Sequence, residues 1–198
     1  MSVKPRTRTF TRLLIATFAL AGAPSLVFTG TAAAAPAVAK ANSCSTSTAH
    51  WGSLTKTLNR RTSASITNVR AGRHTCFDRM VVDLRGRGAG YTVQYVSQVL
   101  TEGGGAVVPL RGGAKLSVVV KAPTYNVNTG VSTYNPANKS ELVNVSGYST
   151  FRQIAFGGSF EGYTTIGLGV RARLPMRAFV LNGPAAGSRV VVDVAHHW

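Results

Sequence analysis

From residue 65 onward the chain is cut into short runs of β-branched and aromatic residues, each bounded by Gly, Pro, Asn or a polar cluster. "SITNVR", "DRMVVDLR", "YTVQYVSQVL", "GAVVPL", "KLSVVVKA", "TFRQIAF", "FEGYTTIGLGV", "MRAFVLN" and "SRVVVDVA" follow one another, and no window shows sustained helical periodicity. Such runs leave little choice but an all-β fold, because each can bury one face only by pairing into a sheet that packs on another layer. The expected architecture is a β-sandwich of two packed sheets. "TEGGGA" (101–106), "LRGGAK" and "LNGPAAGS" read as the turns and hairpin loops between strands.

Two of the runs echo each other. "DRMVVDL" (78–84) and "SRVVVDV" (188–194) both place Arg four residues before Asp. Residues i, i+2 and i+4 of a strand share a face. Met80, Val82 and Leu84 should therefore face the core together, as should Val190, Val192 and Val194. Arg79 with Asp83, and Arg189 with Asp193, then share the opposite face. Antiparallel pairing with Val81 opposite Val191 would set each Arg across from the other strand's Asp, as structural ion pairs contributing roughly 0.2–1 kcal/mol each. Parallel pairing in register would set Arg against Arg. The two runs are thus expected to be antiparallel neighbours, or symmetry mates in facing sheets.

The N-terminal part has a different grammar. Lys4, Arg6, Arg8 and Arg12 precede the apolar stretch "LLIATFALAGAPSLVF" and the small-residue run "TGTAAAAPAVAKA". That order is a secretory signal peptide, with a signal helix and processing region over 1–41 and cleavage after Ala39 or Ala41. A retained membrane anchor is the alternative; with cleavage, no integral membrane segment is expected. Both cysteines, Cys44 and Cys76, lie beyond it. An even count outside the cytosol points to one disulfide, worth roughly 3 kcal/mol on the chain-entropy model. The polar stretch 42–65 reads as an N-terminal arm, with either a short helix or turn near Trp51–Leu58, Ser53 capping the helix, or irregular structure.

Charge narrows the partners. The chain carries +16 at neutral pH; five of its positive charges, Lys4, Arg6, Arg8, Arg12 and Lys40, fall within 1–41, which leaves +11 on the rest. A surface so basic attracts wall polymers, anionic lipid surfaces or nucleic acid. Export makes nucleic acid a poor natural partner and leaves an anionic cell-wall polymer as the expected one. One segment, "APTYNVNTGVSTYNPANKSELVNVSGYST" (122–150), is longer than ordinary loops and rich in Tyr and Asn. It is either a recognition loop carrying Tyr125 and Tyr134 or a packed surface excursion.

Reactive chemistry has weak support. No "GxSxG" is present, and the Gly-rich "GGGAVVPLRGG" lacks the lysine of a phosphate loop. Glycosidic cleavage needs two carboxylates flanking one bond. Of the six acids, Asp78, Asp83, Glu102, Glu141, Glu161 and Asp193, three sit in the Arg-paired runs. Glu161, between glycine-rich neighbours, is the one that would suit a cleft. His196 and His197 are adjacent and would point to opposite faces of a strand, which does not make a zinc site. No cofactor or metal is expected. In "GRHTCFDRMVVDLRG" (72–86), Arg73, His74 and Arg79 would supply an anion or sugar-peptide contact. The favoured reading is instead a disulfide-fixed turn whose polar groups hydrogen-bond the entering backbone.

"ITNVRAGRHTCFDRMVVDLRGRGAGYTVQYV", "VPLRG", "FEGYTTIGLGVRARLPMRAFVLNG" and "SRVVVDVAHHW" together resemble the AMIN-like domain of secreted actinobacterial proteins, which is in turn similar to the AMIN domain attached to cell-wall amidases. The resemblance covers nearly the whole chain after Cys44, with the domain itself over 66–198. It implies two packed β-sheets and a non-catalytic role in binding peptidoglycan or localising a protein at the envelope. The expectation is a secreted, wall-associated binding domain. The rivals are a hydrolase of wall components, with Glu161 or His74 as first suspects, and a protein-binding or inhibitor module. Oligomeric state is not legible in the sequence.

Overall fold

The computed structural model describes Cys44, Thr48 and residues 50–198; the signal segment read over 1–41 lies outside the described residues. Eleven strands are formed among the described residues: β1 (Lys56–Leu58), β2 (Ser65–Arg73), β3 (Phe77–Arg85), β4 (Gly90–Val96), β5 (Val99–Leu100), β6 (Val107–Val108), β7 (Ala114–Lys121), β8 (Phe151–Phe160), β9 (Tyr163–Val170), β10 (Met176–Asn182) and β11 (Ser188–Ala195). Residues 50–198 contain no helix. A five-stranded sheet ordered β1-β4-β7-β9-β8 faces a four-stranded sheet ordered β10-β11-β3-β2, and β5 and β6 make a small ribbon. The fold is all-β, with two main packed antiparallel sheets.

Period-two alternation fills the space between them. Met80, Val82 and Leu84 of β3 and Val190, Val192 and Val194 of β11 are buried in one core with Leu116, Val118 and Val120 of β7 and Ile166, Leu168 and Val170 of β9. Each such side chain contributes about 1.5–3 kcal/mol by leaving water. The echoing runs lie side by side and antiparallel, with Val81 opposite Val191, Arg79 opposite Asp193 and Asp83 opposite Arg189. In β2, Ile66 and Val69 are both buried although they are three residues apart. A register shift between Ile66 and Asn68 places an extra residue there, which turns both side chains inward.

Of the helix or turn open to Trp51–Leu58, a turn is formed at 50–51 and no helix. The open edge of β4 takes Lys56–Leu58 as a strand, with Thr57 opposite Thr92, and the ladder outweighs any local helical preference. Ser53 caps nothing; its hydroxyl accepts a hydrogen bond from Arg173 Nε at 3.2 Å. Cys44 and Cys76 are joined in a disulfide.

Residues 122–150 form a packed strap between the two sheets' edges. Lys139 C=O accepts from Phe156 N (2.7 Å) and Ile154 C=O accepts from Leu142 N (2.8 Å), so the strap occupies the free edge of β8. On the other side, the Thr133 hydroxyl donates to Ile66 C=O of β2 at 2.7 Å. The asparagines tighten its turns: Asn126, Asn138 and Asn144 accept from the amides of Asn128, Ser140 and Ser146. Such cover removes an edge that could otherwise pair with another chain.

Three tyrosines in or against this core set an alkaline limit. Burial raises the phenol pKa of Tyr91, Tyr95 and Tyr134, offset for Tyr95 by hydrogen bonding at Leu174 and by nearby Arg173. A raised native pKa means that the unfolded chain loses these protons first. Their stabilisation is therefore complete below about pH 10 and declines as pH rises above it. The melting temperature should fall above about pH 10, with tyrosinate absorbance of the folded chain appearing at higher pH than that of the unfolded chain.

Candidate functional site

The outward face of the four-stranded sheet is built by the same registers. One row across it reads Arg177, Asp193, Arg79, Gly72; the next reads Phe179, Val191, Val81, Arg70; the third reads Leu181, Arg189, Asp83, Asn68. Four arginines thus share two carboxylates on one face.

Asp193 is fully buried between its two neighbours. Arg79 donates to it through Nε (2.6 Å to Oδ1) and Nη2 (2.8 Å to Oδ2), and Arg177 donates through Nε (2.8 Å to Oδ2). The hydrogen bonds to Asp193 hold the Arg79 guanidinium above its ordinary pKa against the opposing effect of desolvation. Aromatic rings sandwich the two guanidiniums. Arg177 lies 4.3 Å from the Trp51 ring centroid and 5.1 Å from that of Phe179; Arg79 lies 5.2 Å from Phe77 and 5.6 Å from Phe179. His74 stacks on Phe77 with centroids 4.4 Å apart. Stacked guanidiniums keep their charge while their planes cover apolar rings.

The second carboxylate departs from the pairing expected of it. Asp83 is held by Arg70 of β2, through Nε at 2.8 Å and Nη2 at 3.0 Å, not by Arg189. A central strand has two neighbours, and the bidentate fork from β2 takes both carboxylate oxygens. The Arg70 pKa is raised for the same reason. Arg189 is left with a marginal bond from Nη2 to Asn182 C=O at 3.5 Å. Its Nε is buried and has no hydrogen-bond partner among the described residues.

The remaining residues singled out in the sequence do not converge here. Arg73, at the end of β2, lies over the Tyr148 ring at 5.9 Å and reaches Gly147 C=O. Tyr134 packs edge-on against Phe156 and joins the core. Tyr125 sits in the strap, paired with Ser132, beyond the far end of β7. Glu161 occupies no cleft. With Gly162 it forms the two-residue turn between Phe160 and Tyr163, both residues at positive φ, and it is exposed. Glu161 and Tyr125 therefore stand at one end of the sandwich, and Arg73, His74 and Arg79 at the other.

Asp78, beside the disulfide, is fully buried. Its Oδ2 accepts from the amides of Thr150 (2.6 Å) and Phe151 (3.1 Å), and Oδ1 lies 3.1 Å from His196 Nε2. This carboxylate ties the end of the strap to the four-stranded sheet. A cleft of about 670 Å³ opens beside that end, lined in part by Arg111, Glu141, Tyr148 and Arg152. Arg111 and Glu141 pair with each other there, and Arg152 spends its guanidinium on the carbonyls of Tyr148, Ser149 and Phe151. Among the described residues no group of three or more His, Cys, Asp or Glu side chains is placed to hold a metal ion, and no helix is long and apolar enough to cross a membrane.

Sequence reasoning missed Arg177, Phe179 and Trp51. The alternation of "MRAFVLN" does put Arg177, Phe179 and Leu181 on one face; what it lacks is the knowledge that this face lies beside Asp193. The AMIN-like domain family model matches residues 64–196. No curated protein matches the chain.

Proposed function

The chain belongs to the AMIN-like domain family, and on that premise we propose that it is a secreted, non-catalytic module that binds peptidoglycan or another anionic wall polymer through the outward face of the four-stranded sheet. The observation that carries this reading is the arginine face: Arg70, Arg79, Arg177 and Arg189 against only Asp83 and Asp193, interleaved with Trp51, Phe77 and Phe179. Guanidinium planes bind carboxylate or phosphate groups, and the partly exposed rings of Phe77 and Phe179 beside them suit sugars or peptide. The disulfide fits an oxidising, extracellular setting.

The non-catalytic part of the reading is supported by where the acids are spent. Asp78, Asp83, Asp193 and Glu141 are engaged by the partners given above, Glu102 accepts from the Thr165 hydroxyl, and Glu161 lies in an exposed turn. His74 stacks on an aromatic ring, and among the described residues no carboxylate hydrogen-bonds it to orient it as a base.

The test is co-sedimentation of the exported protein with purified peptidoglycan sacculi over a salt series. Binding is expected at low ionic strength, weakening as salt screens the arginines, with no soluble muropeptides released. Release of muropeptides would establish the hydrolase reading instead, and failure to sediment at low salt would refute wall binding.

A further inference from the structure

The arginine face holds a groove of about 240 Å³ between β2 and β10. Val81 and Val191 form its floor, both nearly inaccessible to water. Arg70, His74, Arg79 and Arg189 stand around it. Three features of this groove bear on what it would take. It is small against the roughly 300–1,000 Å³ of ordinary ligand clefts, so it suits an end group, not a length of polymer. Its floor is aliphatic. And only one of its guanidiniums is open, because the forks of Arg70 and Arg79 are already closed on Asp83 and Asp193.

That open cation is Arg189. It stands opposite Asp83 in the ladder, yet Asp83 is turned to Arg70, so no carboxylate within the described residues neutralises it. Its Nε is out of water, and among the described residues that nitrogen has no hydrogen-bond partner and the side chain's one hydrogen bond is the 3.5 Å approach to Asn182 C=O. A partly desolvated guanidinium with free Nη hydrogens is a poor resting state and a strong attractor for one planar anion. A phosphate dianion would need more than one free cation, and it would sit near the carboxylates of Asp83 and Asp193.

We propose that this groove is a socket for a terminal carboxylate on a short aliphatic residue, such as the free end of an alanine-terminated peptide. The two carboxylate oxygens meet the Nη groups of Arg189, and the methyl group lies against the exposed Leu181 at the rim, above the floor of Val81 and Val191. This deepens the proposed function and rests on it: the arginine face supplies the general attraction to the wall, and the groove supplies selection for uncapped peptide ends.

The experiment uses the disulfide-bonded exported chain, with N-acetyl-alanyl-alanine in both enantiomeric forms as probe and NMR of the valine methyl groups as readout. Saturable shifts of Val81 and Val191 are expected with one enantiomer at least. The C-terminal amide of the same dipeptide should bind about tenfold more weakly or worse, as should the dipeptide to Arg189→Gln, that being the loss from one charge-assisted pair. Arg189→Lys keeps the charge but not the fork and should fall between. Equal binding of acid and amide, unchanged binding by Arg189→Gln with a native spectrum, or inorganic phosphate shifting the same methyls at least as tightly, would overturn the proposal. Absence of any shift would do so too. Sedimentation with sacculi, run in parallel, separates the two levels. A protein that sediments but ignores the dipeptide loses the socket and keeps the wall-binding reading; one that takes the dipeptide but does not sediment does the reverse.

Discussion

Asp193→Ala is expected to cost about 3–5 kcal/mol of folding stability, toward the lower end. The substitution strands two guanidiniums that converge on one buried carboxylate, and each is held in place by aromatic rings as well. Arg79 and Arg177 have side chains 24% and 40% exposed, so they recover some hydration, which moderates the loss. Denaturant unfolding measures it, as a lowered midpoint at unchanged slope. Arg177→Met should cost far less, because Asp193 keeps the bidentate bond from Arg79. A loss for Asp193→Ala below about 1 kcal/mol would mean that the triad is no more than an exposed surface pair.

Asp78→Ala should be of similar size, roughly 3–5 kcal/mol, by a different route. Two backbone amides, those of Thr150 and Phe151, would lose their buried acceptor, and each unsatisfied group costs about 1–3 kcal/mol. His196 would lose its partner as well. Asp78→Asn separates the geometry from the charge. Its one amide oxygen can still accept from both backbone amides, so it should retain most of the stability. The local signature is proteolysis: in Asp78→Ala the strap should become cleavable near 145–150, while the strands of the four-stranded sheet stay protected.

How these features were written in the sequence differs from case to case. The β3–β11 register is legible because two signals agree, the alternation of valines and the complementary Arg and Asp positions in "DRMVVDL" and "SRVVVDV". The fate of Asp83 is not legible there, since a residue in a central strand can turn to either neighbour and Arg70 lies on a strand that carries no echo. In "SITNVR" the two apolar anchors have odd spacing, and a bulge reconciles them with one core. The strap's sequence is open to recognition or to packing, with packing the favoured reading, and the structure packs it. Its tyrosines suggested contact with a ligand, but Tyr134 packs against the core and the asparagines spend their side chains on local turns. The aromatic half of the candidate surface is the least legible part, because Trp51, Phe77 and Phe179 come from three separated segments that meet only when the sheet is assembled.

The most direct test of the central claim, that wall binding resides on one face and does not follow from overall charge, compares two variants of equal net charge. Arg70→Gln with Arg189→Gln removes two cations from the four-stranded face; Arg60→Gln with Arg61→Gln removes two exposed ones from the segment after β1. At one moderate ionic strength, the first variant should lose most of its co-sedimentation with sacculi and the second should keep most of it. Equal loss in both, or loss confined to the Arg60 and Arg61 variant, would contradict the account.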